Sequence, residues 1–284
     1  MSSLSTRASL NNEMLGRLKM VLPPVATQNA IGSILKALDD KIELNRRMNA
    51  TLEGMARALF QSWFVDFDPV RAKLDGRKPE GLDKATAALF PDAFEESSLG
   101  PVPRGWRMIP IAELADINYG KNLPATELRQ SGFPVYGAAG IVGFYSTSMF
   151  EEPVTLVTSR GSGSGTVHQT YEPAFITNNS FTVIPRSEWL GRHYLRFSLL
   201  NADILSLVTG SAQPQLTITN FSYLKLLEPS KDVLVAFHKL LDQLWTKAAT
   251  NALESRTLAT LRDTLLPKLL SGELSVASIP KVKA

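Results

Sequence analysis

The sequence predicts an α+β protein: one globular α/β domain plus two long helices packed as an antiparallel coiled coil. Three observations carry this. Apolar residues recur at three- and four-residue spacing over residues 27–64 and again over 232–271. The two stretches repeat each other, since adding 206 to Leu38, Lys41, Asn45, Leu52 and Leu59 gives Leu244, Lys247, Asn251, Leu258 and Leu265. Between them, residues 105–228 hold short β-type runs (FPVYG, PVTLVTS, AFITNNSFTVIP) separated by glycine-rich turns.

The first helix is expected to follow Pro23 and Pro24, with Thr27 as its cap and Ile31, Ile34, Leu35, Leu38, Ile42, Leu52, Met55 and Leu59 along its apolar stripe. Gly54 within it costs about 1 kcal/mol relative to alanine. The second helix is capped by Asp232 and carries Phe237, Leu240, Leu241, Leu244, Leu258, Leu261 and Leu265; Gly272 is its stop signal, and Pro267 in its last turn is expected to kink or end it. At about 1.5 Å per residue each rod is roughly 60 Å long. Two such helices in one chain pack most simply on each other. The expected seam is Leu38, Asn45, Leu52 and Leu59 against Leu244, Asn251, Leu258 and Leu265. The asparagines leave two readings open. In the seam they fix register at some loss of stability; beside it they are solvated.

Residues 65–104 carry prolines and charges with few apolar repeats, so they read as an extended connector with one short helix near Asp83 to Phe90. Asp66, Asp68 and Asp75 lack the alternating oxygen spacing and closing glutamate of a calcium loop, which favours a solvated connector. Within 105–228, Leu190 to Val208 looks helical. The polar loops are Tyr119 to Asn122, Ser159 to Gly165 and Thr209 to Gln215.

Composition narrows the function. The chain has 284 residues, no cysteine and a net charge of +3. The absence of cysteine excludes disulfides and thiolate metal sites and fits a reducing cytoplasm. No apolar run long enough to span a membrane occurs, and the first residues lack an apolar signal core. Residues 104–228 hold nine bases and nine acids, so no basic excess by itself marks a nucleic-acid binder.

No catalytic constellation emerges. The glycine–serine run at 161–165 lacks the Gly-Lys-Ser/Thr of a phosphate loop. Gly137, Gly140 and Gly143 have dinucleotide-like spacing without the acidic residue that should follow. His168, His193 and His238 are scattered and read as packing or surface residues, and no serine sits in a nucleophile elbow. No Asn/Asp-Pro-Pro-aromatic motif of an amino-methyltransferase occurs, and neither a cofactor nor a metal is expected.

Five phrases nevertheless resemble one family. They are LDDKIELNRRMNATLEGMARALFQSWFVDFDPVRAK at 38–73, GPVPRGWRMIPIAELADI at 100–117, PVYGAAGIVGFY at 134–145, GSAQPQLT at 210–217 and LRDTLLPKLLSGEL at 261–274. Together they resemble the specificity subunit of Type I restriction–modification systems, in a half or truncated form with one target recognition domain. The resemblance implies that 1–22 is a remnant of a preceding recognition domain, 23–64 the first conserved long helix and 65–104 a connector. It makes 105–228 the target recognition domain, 229–272 the second conserved long helix and 273–284 a flexible tail. It also implies a cytoplasmic, non-catalytic DNA-recognition subunit of a multisubunit enzyme. Its expected partners are double-stranded DNA, a methyltransferase (modification) subunit that uses S-adenosylmethionine, and a motor–nuclease (restriction) subunit that uses ATP. A homodimer would supply a second recognition domain by symmetry. The rival expectation is a decoy that docks the methyltransferase subunit without productive DNA recognition. The candidate DNA-binding residues are Lys121, Asn122, Arg160, Ser162, Ser164, Asn178, Asn179, Gln213 and Gln215, chosen as polar side chains on the domain's loops.

Overall fold

The computed structural model describes residues 22–97 and 100–278. The remnant expected over 1–22, apart from Leu22, and the tail beyond residue 278 lie outside the described residues. Two long helices dominate the chain, α1 (Val25–Phe64) and α7 (Lys231–Ser271). The chain divides into two units, one of residues 1–47 with 251–284, the other of residues 48–250.

In the first unit, α1 and α7 pair in opposite directions. Arg262 Nη1 meets Asp39 Oδ1 at 2.7 Å, and Lys41 Nζ meets Glu254 Oε2 at 3.2 Å. Asn45 Nδ2 lies 2.8 Å from Glu254 Oε2, 3.3 Å from Ser255 Oγ and 3.4 Å from the Asn251 carbonyl. Asn45 and Asn251 are buried, as are Ile31 and Leu269. Leu38, Leu258 and Leu265 are half-buried, and Leu261 is exposed. Most of the seam leucines stay partly open, and a buried asparagine layer of this kind fixes register at some loss of stability. Pro267 does not end α7; the helix runs on to Ser271 and stops at Gly272, whose φ of +76° only glycine adopts freely.

The second unit is built around aromatic rings. The last turns of α1 contribute Phe60, Trp63 and Phe64, and the first turns of α7 contribute Phe237. Phe237 stands edge-on to Phe64 at 5.0 Å, and Trp63 edge-on to Phe90 at 4.9 Å. Helix α5 (Arg192–Asn201) adds Tyr194, 4.9 Å from Phe64, and Phe197, 5.7 Å from Phe60. Leu59 and Leu244 pack against this core; Leu52 is half-buried, while Met55 and Leu240 are exposed.

Residues 65–104 differ from an extended connector. They form α2 (Asp68–Leu74), α3 (Lys84–Ala88) and the hairpin of β1 (Phe94–Ser97) with β2 (Gly100–Pro103). Val70, Ala72, Phe90 and Val102 are buried in the core or its edge. Isolated apolar residues on a polar background carry no period, so the sequence concealed this packing. Phe67 adopts a left-handed φ of 55°, held between the rings of Phe94 and Trp106. Asp66 accepts from Gln61, Asp75 pairs with Arg77, and Asp83 caps α3.

The domain proper opens with β3 (Arg107–Pro110), which pairs with β11 (Lys225–Glu228), and the short α4 (Ile111–Leu114). A four-stranded antiparallel sheet orders β4 (Ala115–Tyr119), β10 (Ser180–Pro185), β7 (Thr155–Thr158) and β8 (Val167–Gln169). A second sheet orders β6 (Gly140–Tyr145), β5 (Phe133–Gly137) and β9 (Phe175–Ile176), with β5 and β9 parallel. The helix expected over 190–208 is shorter. It ends at Asn201 because Ala202 is extended, and Asp203 Oδ1 accepts from the Ser206 N–H to start a separate 3₁₀ turn at Leu205–Leu207. A short α6 (Ile218–Ser222), capped by Thr217, leads into β11.

Helix α5 is tied to both long helices within this unit. The Arg196 guanidinium donates to both carboxylate oxygens of Glu53, at 3.1 and 2.9 Å, and lies over the rings of Phe197 and Trp245. Two histidines that are far apart in sequence meet here, His193 and His238, with ring centroids 5.8 Å apart. His238 reaches the Leu190 carbonyl, and any side chain at Gly191 would collide with its ring.

Phe60 touches four other aromatic rings. Phe60→Ala is expected to cost about 3–5 kcal/mol of unfolding free energy, measured by urea denaturation; a loss under about 1 kcal/mol would refute its central place. Burial pushes the His193 imidazole down to about 4, against the Asp242 carboxylate that pulls it upward. The folded state therefore binds fewer protons than the unfolded chain below about pH 6.5. Its contribution to stability is complete above that pH and falls as pH drops toward 4. His193→Asn should shrink this acid loss in urea titrations at pH 7.5 and 5; an unchanged pH dependence would contradict the assignment.

Candidate nucleic-acid interface

The loops singled out by sequence converge at one place in the second unit, stitched together by main-chain hydrogen bonds. Lys121 N–H donates to the Ile176 carbonyl at 2.9 Å, and Asn178 N–H donates to the Lys121 carbonyl at 3.1 Å. The next loop joins through Ser159 N–H, which donates to the Asn179 carbonyl at 2.8 Å. Loop 209–215 closes on itself through reciprocal bonds between Thr209 and Gln215. It joins the rim where Gly161 N–H donates to the Pro214 carbonyl at 3.0 Å and Leu216 N–H to the Ser159 carbonyl at 2.9 Å. Residues 120–122, 159–165, 177–179 and 209–216 thus form one continuous rim.

Close backbone approach explains the glycine before Lys121. A Cβ on Gly120 would lie 2.3 Å from the Thr177 carbonyl oxygen and 2.4 Å from that of Ile176. Only a residue without a side chain lets β4 run out beside β9 and deliver Lys121 to the bridge with Thr177.

The candidate side chains divide by burial. Lys121, Asn122, Arg160, Ser162, Asn179 and Gln213 are exposed, and Asn178 and Gln215 are half-buried. Ser164 departs from the expectation. It is buried, and its hydroxyl lies 2.9 Å from both the Gly161 and Pro214 carbonyl oxygens. Its donor is committed to holding two loops together, so it is not available to a base edge. Spacing alone could not separate it from Ser162, because the difference arises from a residue 50 positions away.

Ion pairing occupies part of this unit's cations and, among the described residues, leaves Lys78, Lys84 and Arg129 unpaired as well as the two rim cations. Within this unit Arg57, Arg77, Arg104, Arg107, Arg186 and Arg192 all sit in ion pairs. Lys121 and Arg160 have no ion-pair partner among the described residues. Each offers unspent donors from the rim, where a guanidinium or ammonium suits a phosphate oxygen or the major-groove edge of guanine. Sequence reasoning missed the part played by Thr158, whose hydroxyl donates to the Ala138 carbonyl at 3.0 Å and brings the β5–β6 turn against the rim. Among the described residues no group of three or more acidic or histidine side chains is placed to hold a metal, and no helix is long and apolar enough to cross a membrane.

Comparison with known proteins points the same way. A family model described as "Type I restriction modification DNA specificity domain" matches residues 1–54 and 103–260. The chain is similar to the Type I restriction enzyme HindI specificity subunit of Haemophilus influenzae, with 28% identity over 334 aligned residues covering 96% of this chain and 72% of that protein. It is also similar to the Type I restriction enzyme MjaIX specificity subunit of Methanocaldococcus jannaschii, with 25% identity over 297 residues, 97% of this chain and 65% of that protein. Among solved structures, the Type I restriction–modification S subunit from M. genitalium shares the fold, with a TM-score of 0.55 and 19% identity across 91% of this chain and 62% of that one. The chain therefore spans only about two thirds of the length of such relatives. With matched stretches covering most of its residues, the chain belongs to the family of Type I restriction–modification DNA specificity domains.

Proposed function

We propose that this chain is the DNA-reading subunit of a Type I restriction–modification complex. Residues 105–228 act as its target recognition domain, and the stitched loop rim is the surface that meets duplex DNA. The long helices α1 and α7 serve as the docking surface for the methyltransferase subunit, which carries out adenine methylation. A motor–nuclease subunit joins the same assembly. The chain itself reads and does no chemistry.

One observation carries this reading: four loops from distant parts of the sequence meet in one rim that presents two unpaired cations and several free amides. Hydrogen bonds to base edges carry sequence information, and contacts to phosphates set register. A rim already fixed by main-chain bonds loses less conformational entropy on binding than four mobile loops would. The equal numbers of acids and bases over 104–228 mean that electrostatic affinity for DNA is modest without the methyltransferase partner.

Replacing Lys121 and Arg160 together by glutamate, in the complex assembled with the methyltransferase subunit, is expected to weaken binding to the methylated sequence by at least about tenfold. Assembly should be unaffected, since neither residue lies on α1 or α7. Fluorescence anisotropy with target and scrambled duplexes measures the first, and size-exclusion chromatography the second. Unchanged target binding would defeat the assignment of the rim, and wild-type complex that binds both duplexes equally would favour a docking decoy.

A further inference from the structure

The turn Gly137-Ala-Ala-Gly-Ile-Val-Gly143 forms the β5–β6 hairpin, and no strand among the described residues covers the open side of β6 at its tip. In a regular strand, consecutive side chains point to opposite faces. Here the register shifts between Val135 and Tyr136, whose partners are Gly143 and Ile141, so Val142 is an extra residue in a bulge. Bulges re-aim side chains and recur beside functional sites. This one leaves two consecutive β-branched residues both exposed, Ile141 at 54% and Val142 at 50%. Gly137 makes room for the arrangement, since a Cβ there would stand 2.9 Å from Val142 Cγ1.

The hairpin tip belongs to the same network as the free cations. The Tyr136 carbonyl accepts from Thr177 N–H at 2.9 Å, and the Ala138 carbonyl accepts from the Thr158 hydroxyl at 3.0 Å. Thr177 bridges Lys121, and Thr158 lies two residues before Arg160. A single exposed apolar side chain on a protein surface needs no explanation. An adjacent pair, aimed outward by a bulge and fastened to a rim of otherwise polar side chains, calls for an apolar partner.

Resting on the DNA-reading function set out above, we propose that Ile141 and Val142 are specificity-determining residues that contact the C5-methyl group of a thymine in the major groove. Thymine is the base whose major-groove edge carries such a methyl. A site methylated at adenine contains at least one, opposite that adenine.

The test uses the complex assembled with the methyltransferase subunit and duplexes carrying its methylated sequence. Each thymine is replaced singly by deoxyuridine, which removes the methyl and keeps the base pair. At one or more positions the wild-type complex should lose about threefold to fivefold in affinity. The Ile141→Ala/Val142→Ala variant should bind the unmodified target weaker by a similar factor and be indifferent to that same replacement. Ile141→Ser/Val142→Ser, which removes the branched methyl groups and leaves small polar side chains at the exposed tip, should show the same indifference. The inference is overturned if no replacement weakens the wild type, or if the replacement weakens the variants as much as the wild type. Sequence-dependent binding that ignores every thymine methyl sinks this inference alone. Absence of any sequence-dependent binding sinks the parent reading and this inference with it.

Discussion

The ring cluster at the end of α1 is the constraint on which the sheet-bearing unit depends. Phe60, Trp63 and Phe64 occupy little more than one helical turn, and they meet Phe237 from α7, Tyr194 and Phe197 from α5, and Phe90 and Trp106 from the segment between. Edge-to-face rings bury large areas at fixed angles, so the cluster sets orientation as well as stability. Arg196 adds a second tie, since a buried guanidinium must keep both Glu53 oxygens or stand uncompensated. Together these contacts fix α5 and the sheets to the helix turns beside them.

From that base the fold can afford loops whose side chains face outward, because the loop backbones satisfy one another. Lys121, Asn178, Ser159, Gly161 and Leu216 all spend their main-chain N–H groups on a neighbouring loop. The side chains of Lys121, Asn122, Arg160 and Gln213 are exposed beside that frame. Under the proposed function, this division between main chain and side chain lets a fixed frame present side chains to a base edge. Ser164 falls on the frame side of that division and Ser162 on the other.

The long helices were legible because leucines seven apart, flanking prolines and a terminal glycine are local signals; α1 begins two residues before the expected cap and α7 one residue before its own. Whether Asn45 and Asn251 lay in the seam was not legible, since residues beside a seam share its period. Their burial depends on which partner residue lies across from them. The folded state of residues 65–104 was hidden for a related reason: Val70 and Phe90 form no pattern along the chain and acquire meaning only against Trp63 and Trp106. In the rim loops, residue type identified candidates and could not rank them. The bulge at Val142 was invisible, because it is a property of the pairing with β5 and not of either strand alone.

The most direct measurement of the account is a map of where the chain touches DNA. Photo-crosslinking of the assembled complex to its target duplex, followed by peptide mass spectrometry, is predicted to mark residues 120–122, 159–162, 178–179 and 209–215. Crosslinks confined to α1, α7 or residues 65–104, with that rim unmarked, would contradict it.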